Sequence, residues 1–139
     1  MLSGPVVKVV EGDTIYILDA AQRQYKIRLA GIDAPESEQP FGEQSKERLA
    51  AMIDGKDVTV LWFKMDHLGR LIGKVWLNGQ DVNLEMVRAG LAWHFTRYAA
   101  EQPEEDRPVY AATEAEARTG RVGLWSESEP VPPWDWRRR

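Results

Sequence analysis

The chain opens with three β-rich runs divided by turn signals, and this punctuation constrains the fold more than any other feature of the sequence. Pro5 to Val10 is β-branched, and Gly12-Asp13 supplies a turn. Thr14 to Asp19 is again β-rich, and a polar connection from Ala20 to Gln24 follows it. In the third run, Tyr25 to Ile32, Tyr25, Ile27 and Leu29 fall on one face and Arg28 on the other. Short strands joined by tight turns predict an antiparallel meander.

Beyond it the period changes. Pro35 to Pro40 reads as a loop, and Phe41, Leu49, Met52 and Ile53 can share one face of a helix that Gly55 stops. Lys56 to Met65 predicts a strand, Asp66 to Gly69 a turn, and Arg70 to Leu77 the partner strand, with Asn78-Gly79 as a tight turn. A second helix is expected from about Asp81 to Arg88, pointing Leu84, Val87 and Leu91 at a core before a cap at Gly90. Pro103 to Pro108 reads as a solvated loop, and an alanine- and glutamate-rich third helix runs from about Arg107 to Thr119. The tail, 130–139, combines prolines, Trp134, Trp136 and a terminal arginine run. The expected architecture is one α+β domain over residues 1–139: mainly β, a five-stranded barrel of the OB type, with about three helices.

Composition narrows the function classes. A net charge of −4 argues against a protein that coats nucleic acid through a basic surface. It leaves room for an enzyme that meets a phosphodiester through a metal and a few arginines. With no cysteine, neither a disulfide framework nor thiolate chemistry is available. No apolar run approaches the roughly 20 residues of a membrane helix. No export signal is visible, since strand-like sequence begins almost at once.

The chemistry-bearing residues gather around the meander. If its strands are antiparallel neighbours, Asp13 at the start of the second run lies beside Asp33 and Glu36 just past the third. Carboxylates converging at one barrel mouth suit a hard divalent cation, Ca²⁺ or Mg²⁺, better than zinc, which would want His or Cys. Pro35 pushes Ala34 into an extended conformation that aims its carbonyl toward the same ion. Arg28, and Arg70 after the Asp66–Gly69 turn, can grip phosphate oxygens bidentately. Blander readings exist for each residue taken singly: a turn Asp bonds its own backbone, and a lone hairpin arginine serves solubility. His67 and His94 read as turn and surface residues. Trp62, Trp76 and Trp93 read as packing in the barrel or under helices, and the tail tryptophans as folded back or touching nucleic acid.

Several blocks taken together resemble the staphylococcal nuclease family. They are Val10-Glu11-Gly12-Asp13-Thr14, Ile27 to Glu36, Gly69-Arg70-Leu71-Ile72-Gly73-Lys74-Val75, Val82-Asn83, Val87 to Trp93, Glu114 to Arg118, and Gly123-Leu124-Trp125. The resemblance implies an OB-type barrel with three helices and one Ca²⁺, with Mg²⁺ the weaker support for activity. It implies Asp13, Asp33 and the Ala34 carbonyl as metal ligands, and Glu36, Arg28 and Arg70 as catalytic residues, Glu36 as general base. Phe95 and Tyr98 would contact the substrate, DNA or RNA, whose cleavage would leave 3′-phosphate ends. It further favours export; a monomer with no obligate protein partner and no membrane attachment is the default expectation. Leu68 and Thr96 stand where the family often carries tyrosines. The competing expectation is a non-catalytic OB-fold module that binds nucleic acid without cutting it.

Overall fold

The computed structural model describes residues 1–96 and 101–139. The three opening runs become β1 (Leu2–Glu11), β2 (Thr14–Leu18) and β3 (Gln24–Leu29). They form the expected antiparallel meander, with Val9 opposite Ile15 and Ile15 opposite Ile27. Alternation turns Ile15, Ile17, Ile27 and Leu29 inward, and a register shift in β1 between Val6 and Lys8 brings Val6 and Val9 to the same side; all six are buried. The third run does not continue as one strand to Ile32. It breaks at Gly31, whose φ of 78° an L side chain rarely adopts, and resumes as β4 (Ile32–Asp33).

α1 (Gly42–Ile53) follows the proline loop and buries Ser45, Leu49 and Ile53. It starts one residue later than its periodicity suggests because Phe41 takes a left-handed conformation. β5 (Asp57–Met65) pairs antiparallel with β1 and with β6 (Leu71–Leu77). β6 then meets β3 in parallel, from Ile27 opposite Leu71 to Leu29 opposite Gly73. That last pairing closes β3-β2-β1-β5-β6 into a five-stranded barrel and removes its open edges.

β7 (Gln80–Asp81) leads into α2 (Val82–Arg88), whose start is capped by Asp81 accepting from the Leu84 amide at 3.0 Å. β8 (Trp93–His94) pairs with β4, and α3 (Asp106–Thr119) packs Tyr110, Thr113 and Ala117 inward. α3 takes in the end of the segment read as a solvated loop; Pro108 is tolerated there because it lies in the first turn. A 3-10 turn at Gly123–Ser126 and a one-turn α4 at Pro133–Trp136 were not expected. Among the described residues no helix is long and apolar enough to cross a membrane.

Two expectations are corrected. Trp62 does not pack in the barrel: it is 44% exposed, on a stretch of β5 from Leu61 to Met65 that is exposed throughout. His94 is not a surface residue. As part of β8 it is buried, its Nε2 lies 3.2 Å from Gln102 Oε1, and its ring faces Tyr110 at 5.9 Å.

Asn83 ties the barrel closure to α2. Fully buried, it accepts from the Val75 amide at 3.1 Å and donates to the Ala30 and Gly73 carbonyls at 3.0 and 3.1 Å. Asn83→Ala removes all three bonds, although the Gly73 carbonyl keeps the Ala30 amide at 2.8 Å, and we expect a loss of about 3 kcal/mol in urea unfolding, the penalty scale of buried unsatisfied groups. A loss below about 1 kcal/mol would mean that the closure does not depend on this side chain.

Candidate active-site cleft

The register of the meander builds the site. Thr14 lies opposite Arg28, so the residue before β2 and the residues after β3 meet at one mouth of the barrel. Asp13 is held there from several sides. Its carbonyl accepts from the Leu29 amide at 2.8 Å, its Oδ1 from the Thr14 hydroxyl at 2.9 Å, and its Oδ2 from the Ala34 amide at 2.8 Å. This last bond fixes the loop that carries Asp33.

Arg28 points to the same mouth and is equally constrained. Its Nη1 donates to the carbonyls of Leu29 and Ile32, both at 2.8 Å. The guanidinium stands 3.7 Å from Asp13 Oδ2 and 3.6 Å from Asp33 Oδ1. Asp33 is 1% exposed. Burial raises its carboxyl above the usual range, with Asp13 adding to the rise, while Arg137 and Arg28 pull it back.

Glu36 reaches the cleft from the proline loop, where its amide donates to Gln39 Oε1 at 3.1 Å and its carbonyl accepts from the Gln39 amide at 2.9 Å. Gly42 makes this loop position tenable, since a Cβ there would fall 1.9 Å from the Glu36 carbonyl oxygen. Arg70 approaches from the far wall, with its Nε on Asp66 Oδ2 at 2.8 Å. Asp66 also accepts from the amides of Leu68 and Arg70, so the hairpin turn holds this arginine in place.

Asp13, Arg28, Asp33, Glu36, Arg70 and Phe95 therefore line one cleft of about 700 Å³. Ala34 lies behind it, buried, with its amide on Asp13. Tyr98 lies outside the described residues.

The cleft also contains groups that the sequence reading missed. Glu11, at the end of β1, is pushed up to about 8. Burial is the main cause, followed by a hydrogen bond with Glu36 and the charges of Asp13 and Glu36, against which Arg28 acts. The glutamate preceding Gly12-Asp13 was visible in the sequence, but its proximity to Glu36 depends on the fold. Arg137 is the second. Its Nη1 and Nη2 donate to the two Asp33 carboxylate oxygens at 3.2 and 2.7 Å, and Nη1 donates to Glu36 Oε1 at 2.6 Å. The arginine run was conspicuous, yet no spacing rule brings a residue 104 positions away onto Asp33.

Glu11, Asp13, Asp33 and Glu36 crowd one mouth around Arg28 and Arg137, and Glu11, pushed up mainly by burial and further by Glu36 and Asp13, keeps its proton at neutral pH. Hard carboxylate oxygens with surplus negative charge fit a hard divalent cation. Among the described residues no group of three or more His, Cys, Asp or Glu side chains is placed to hold a metal ion as the side chains stand; the Arg137 fork lies between Asp33 and Glu36.

Comparison with known proteins bears on the family of the chain. The family described as "Staphylococcal nuclease homologue" matches residues 26–127. A protein of Escherichia coli named "Uncharacterized endonuclease" is 42% identical over 139 residues, covering 99% of this chain and 86% of that protein. A Haemophilus influenzae protein of the same name is 36% identical over 134 residues, covering 96% of this chain and 72% of its own. A staphylococcal-like nuclease of Arabidopsis thaliana is 41% identical over 116 residues, 84% of this chain but 34% of the plant protein.

The raised Glu11 carboxyl makes a pH prediction for the cation-free protein. Between 4.5, the ordinary value, and about 8, the folded chain holds a proton that the unfolded chain has released. The stability contribution is complete below this window and is lost as pH rises through it. In chelator, unfolding midpoints should therefore fall from pH 5 to pH 8, and Glu11→Gln should flatten the slope. An unchanged slope in Glu11→Gln would place the titration elsewhere.

Proposed function

The chain belongs to the staphylococcal nuclease family, and from its acid–arginine cleft we infer that it is a nuclease that hydrolyses phosphodiester bonds of DNA or RNA with a bound divalent cation, calcium before magnesium. The observation that carries this reading is the placement of Arg28 between Asp13 and Asp33, with Glu36 and Arg70 on the walls of the same cleft.

Asp13, Asp33 and the Ala34 carbonyl would hold the cation. When bound, it supplies positive charge that polarises the phosphoryl oxygen and orders water for in-line attack. Arg28 is preorganised for the phosphate, because its Nη1 is committed to two backbone carbonyls and the guanidinium cannot swing away. Arg70 faces it across the cleft, anchored by Asp66. Together they counter the charge that develops on the phosphoryl oxygens. Glu36 accepts the proton of the attacking water as the new P–O bond forms. The bond to the 5′ oxygen breaks, which leaves a 3′-phosphate and a 5′-hydroxyl. A guanidinium hardly deprotonates, so Arg70 stabilises the leaving oxygen and solvent supplies its proton. The same reading treats residues 1–139 as one catalytic domain, acting as a monomer and outside the cytoplasm.

Plasmid DNA, single-stranded DNA and RNA incubated with Ca²⁺, Mg²⁺ or chelator should show calcium-dependent cutting. Glu36→Ser should lower kcat by roughly 10²–10⁴-fold, the range for a lost general base. Arg28→Ala should lower it by roughly 10²–10³-fold, as for a lost charge-stabilising donor. A folded chain that binds these nucleic acids but cuts none under either metal would replace this reading with the binding module.

A further inference from the structure

The segment 131–139 folds back against the cleft, whose wall Trp134, Arg137 and Arg138 help to line. Gln39 donates to the Val131 carbonyl, and Pro133 is buried at the start of α4. Trp134 then sets its ring flat on Phe95, with centroids 5.1 Å apart and planes 3° from parallel, and meets Trp93 edge-on at 5.4 Å. One turn later Arg137 places its fork across Asp33 and Glu36. The bond to Asp33 holds the guanidinium proton more firmly than usual, against the cost of its partial burial.

The two anchors fall on two different functions of the proposed site. Asp33 is a carboxylate that a hard cation would need, and Arg137 takes both of its oxygens. Phe95 is the aromatic ring that a nucleobase would meet at the cleft wall, and Trp134 covers it. A cation and a planar ring separated by one helical turn thus take up the positions of a metal ion and a base.

We propose that residues 131–139 form an autoinhibitory strap, whose Arg137 competes with the divalent cation for Asp33 and Glu36 and whose Trp134 competes with substrate for Phe95. This inference rests on the cation reading of the cleft. Binding of Ca²⁺ places a second, stronger positive charge beside Asp33, which expels the guanidinium and frees the segment. Apparent calcium affinity is then reduced by the fraction of molecules with the strap open. A bidentate charge-assisted pair of this kind, worth what hydrogen bonds to charged groups are usually worth, makes that reduction roughly 10- to 100-fold.

Calcium titration by calorimetry on the full chain without nucleic acid separates the outcomes. Arg137→Ala should bind Ca²⁺ roughly 10- to 100-fold more tightly than the parent. Trp134→Ala, which loosens the anchor but keeps the guanidinium, should gain less. A second readout needs no variant: trypsin should cut after Arg137 slowly in chelator and severalfold faster in Ca²⁺, with the product identified by intact mass. Equal or weaker calcium affinity in Arg137→Ala, or tryptic rates indifferent to Ca²⁺ while calorimetry shows binding, would overturn the strap alone. Absence of calcium binding in the parent and both variants would overturn the cation reading and the strap with it.

Discussion

The hydrogen bond from the Ala34 amide to Asp13 Oδ2, 2.8 Å long and buried, connects the barrel to its site. Asp13 belongs to the turn between β1 and β2, whereas Ala34 belongs to the loop beyond β4. This carboxylate links the two, and Arg28 sits against it on the cleft side. The β2–β3 register sets the geometry: with Thr14 opposite Arg28, the turn and the loop end at the same height of the barrel. A slip of one residue would turn Arg28 inward and Ile27 outward. The apolar alternation that fills the core therefore also fixes the acid–arginine cluster.

That cluster is costly, and its surroundings show how the cost is met. A carboxylate as buried as Asp33 resists ionisation, and the fold offsets this with two guanidinium groups. Arg28 is itself restrained by two carbonyls, so it is a fixed charge. Arg137 comes from the far end of the described chain, and the hydrogen bonds of its guanidinium go to the carboxylates of Asp33 and Glu36. Glu11, desolvated by burial and faced by the charges of Asp13 and Glu36, keeps a proton, which limits the excess of negative charge. A divalent cation at this mouth would relieve the same excess, which is why the donor set and the charge imbalance point to one kind of ligand.

Much of this was legible in the sequence because it depends on local rules. Periodicity found β1, β2, β5, β6 and the three long helices to within a few residues, and the spacing of Asp13, Arg28, Asp33 and Glu36 marked the cleft. What the sequence missed depends on distance or on single conformations. The split of the third run needed the positive φ of Gly31, and the two-residue strands β4 and β8 are too short to carry a period. Trp62 is exposed because β5 stays exposed from Leu61 onward, a feature no hydropathy count contains. His94 is buried because β8 pairs with β4. Arg137 and Glu11 enter the site only through tertiary approach.

The account stands on Asp13 and Asp33 sharing one cation at the barrel mouth, with the phosphate on Arg28 and Arg70. A crystal of the Glu36→Ser chain with Ca²⁺ and a short oligonucleotide, with anomalous scattering used to locate the ion, tests this directly. The account predicts one ion about 2.3–2.6 Å from carboxylate oxygens of both aspartates, with a phosphate between the two arginines. An ion bound elsewhere, or an oligonucleotide seated with no ion between Asp13 and Asp33, would contradict it.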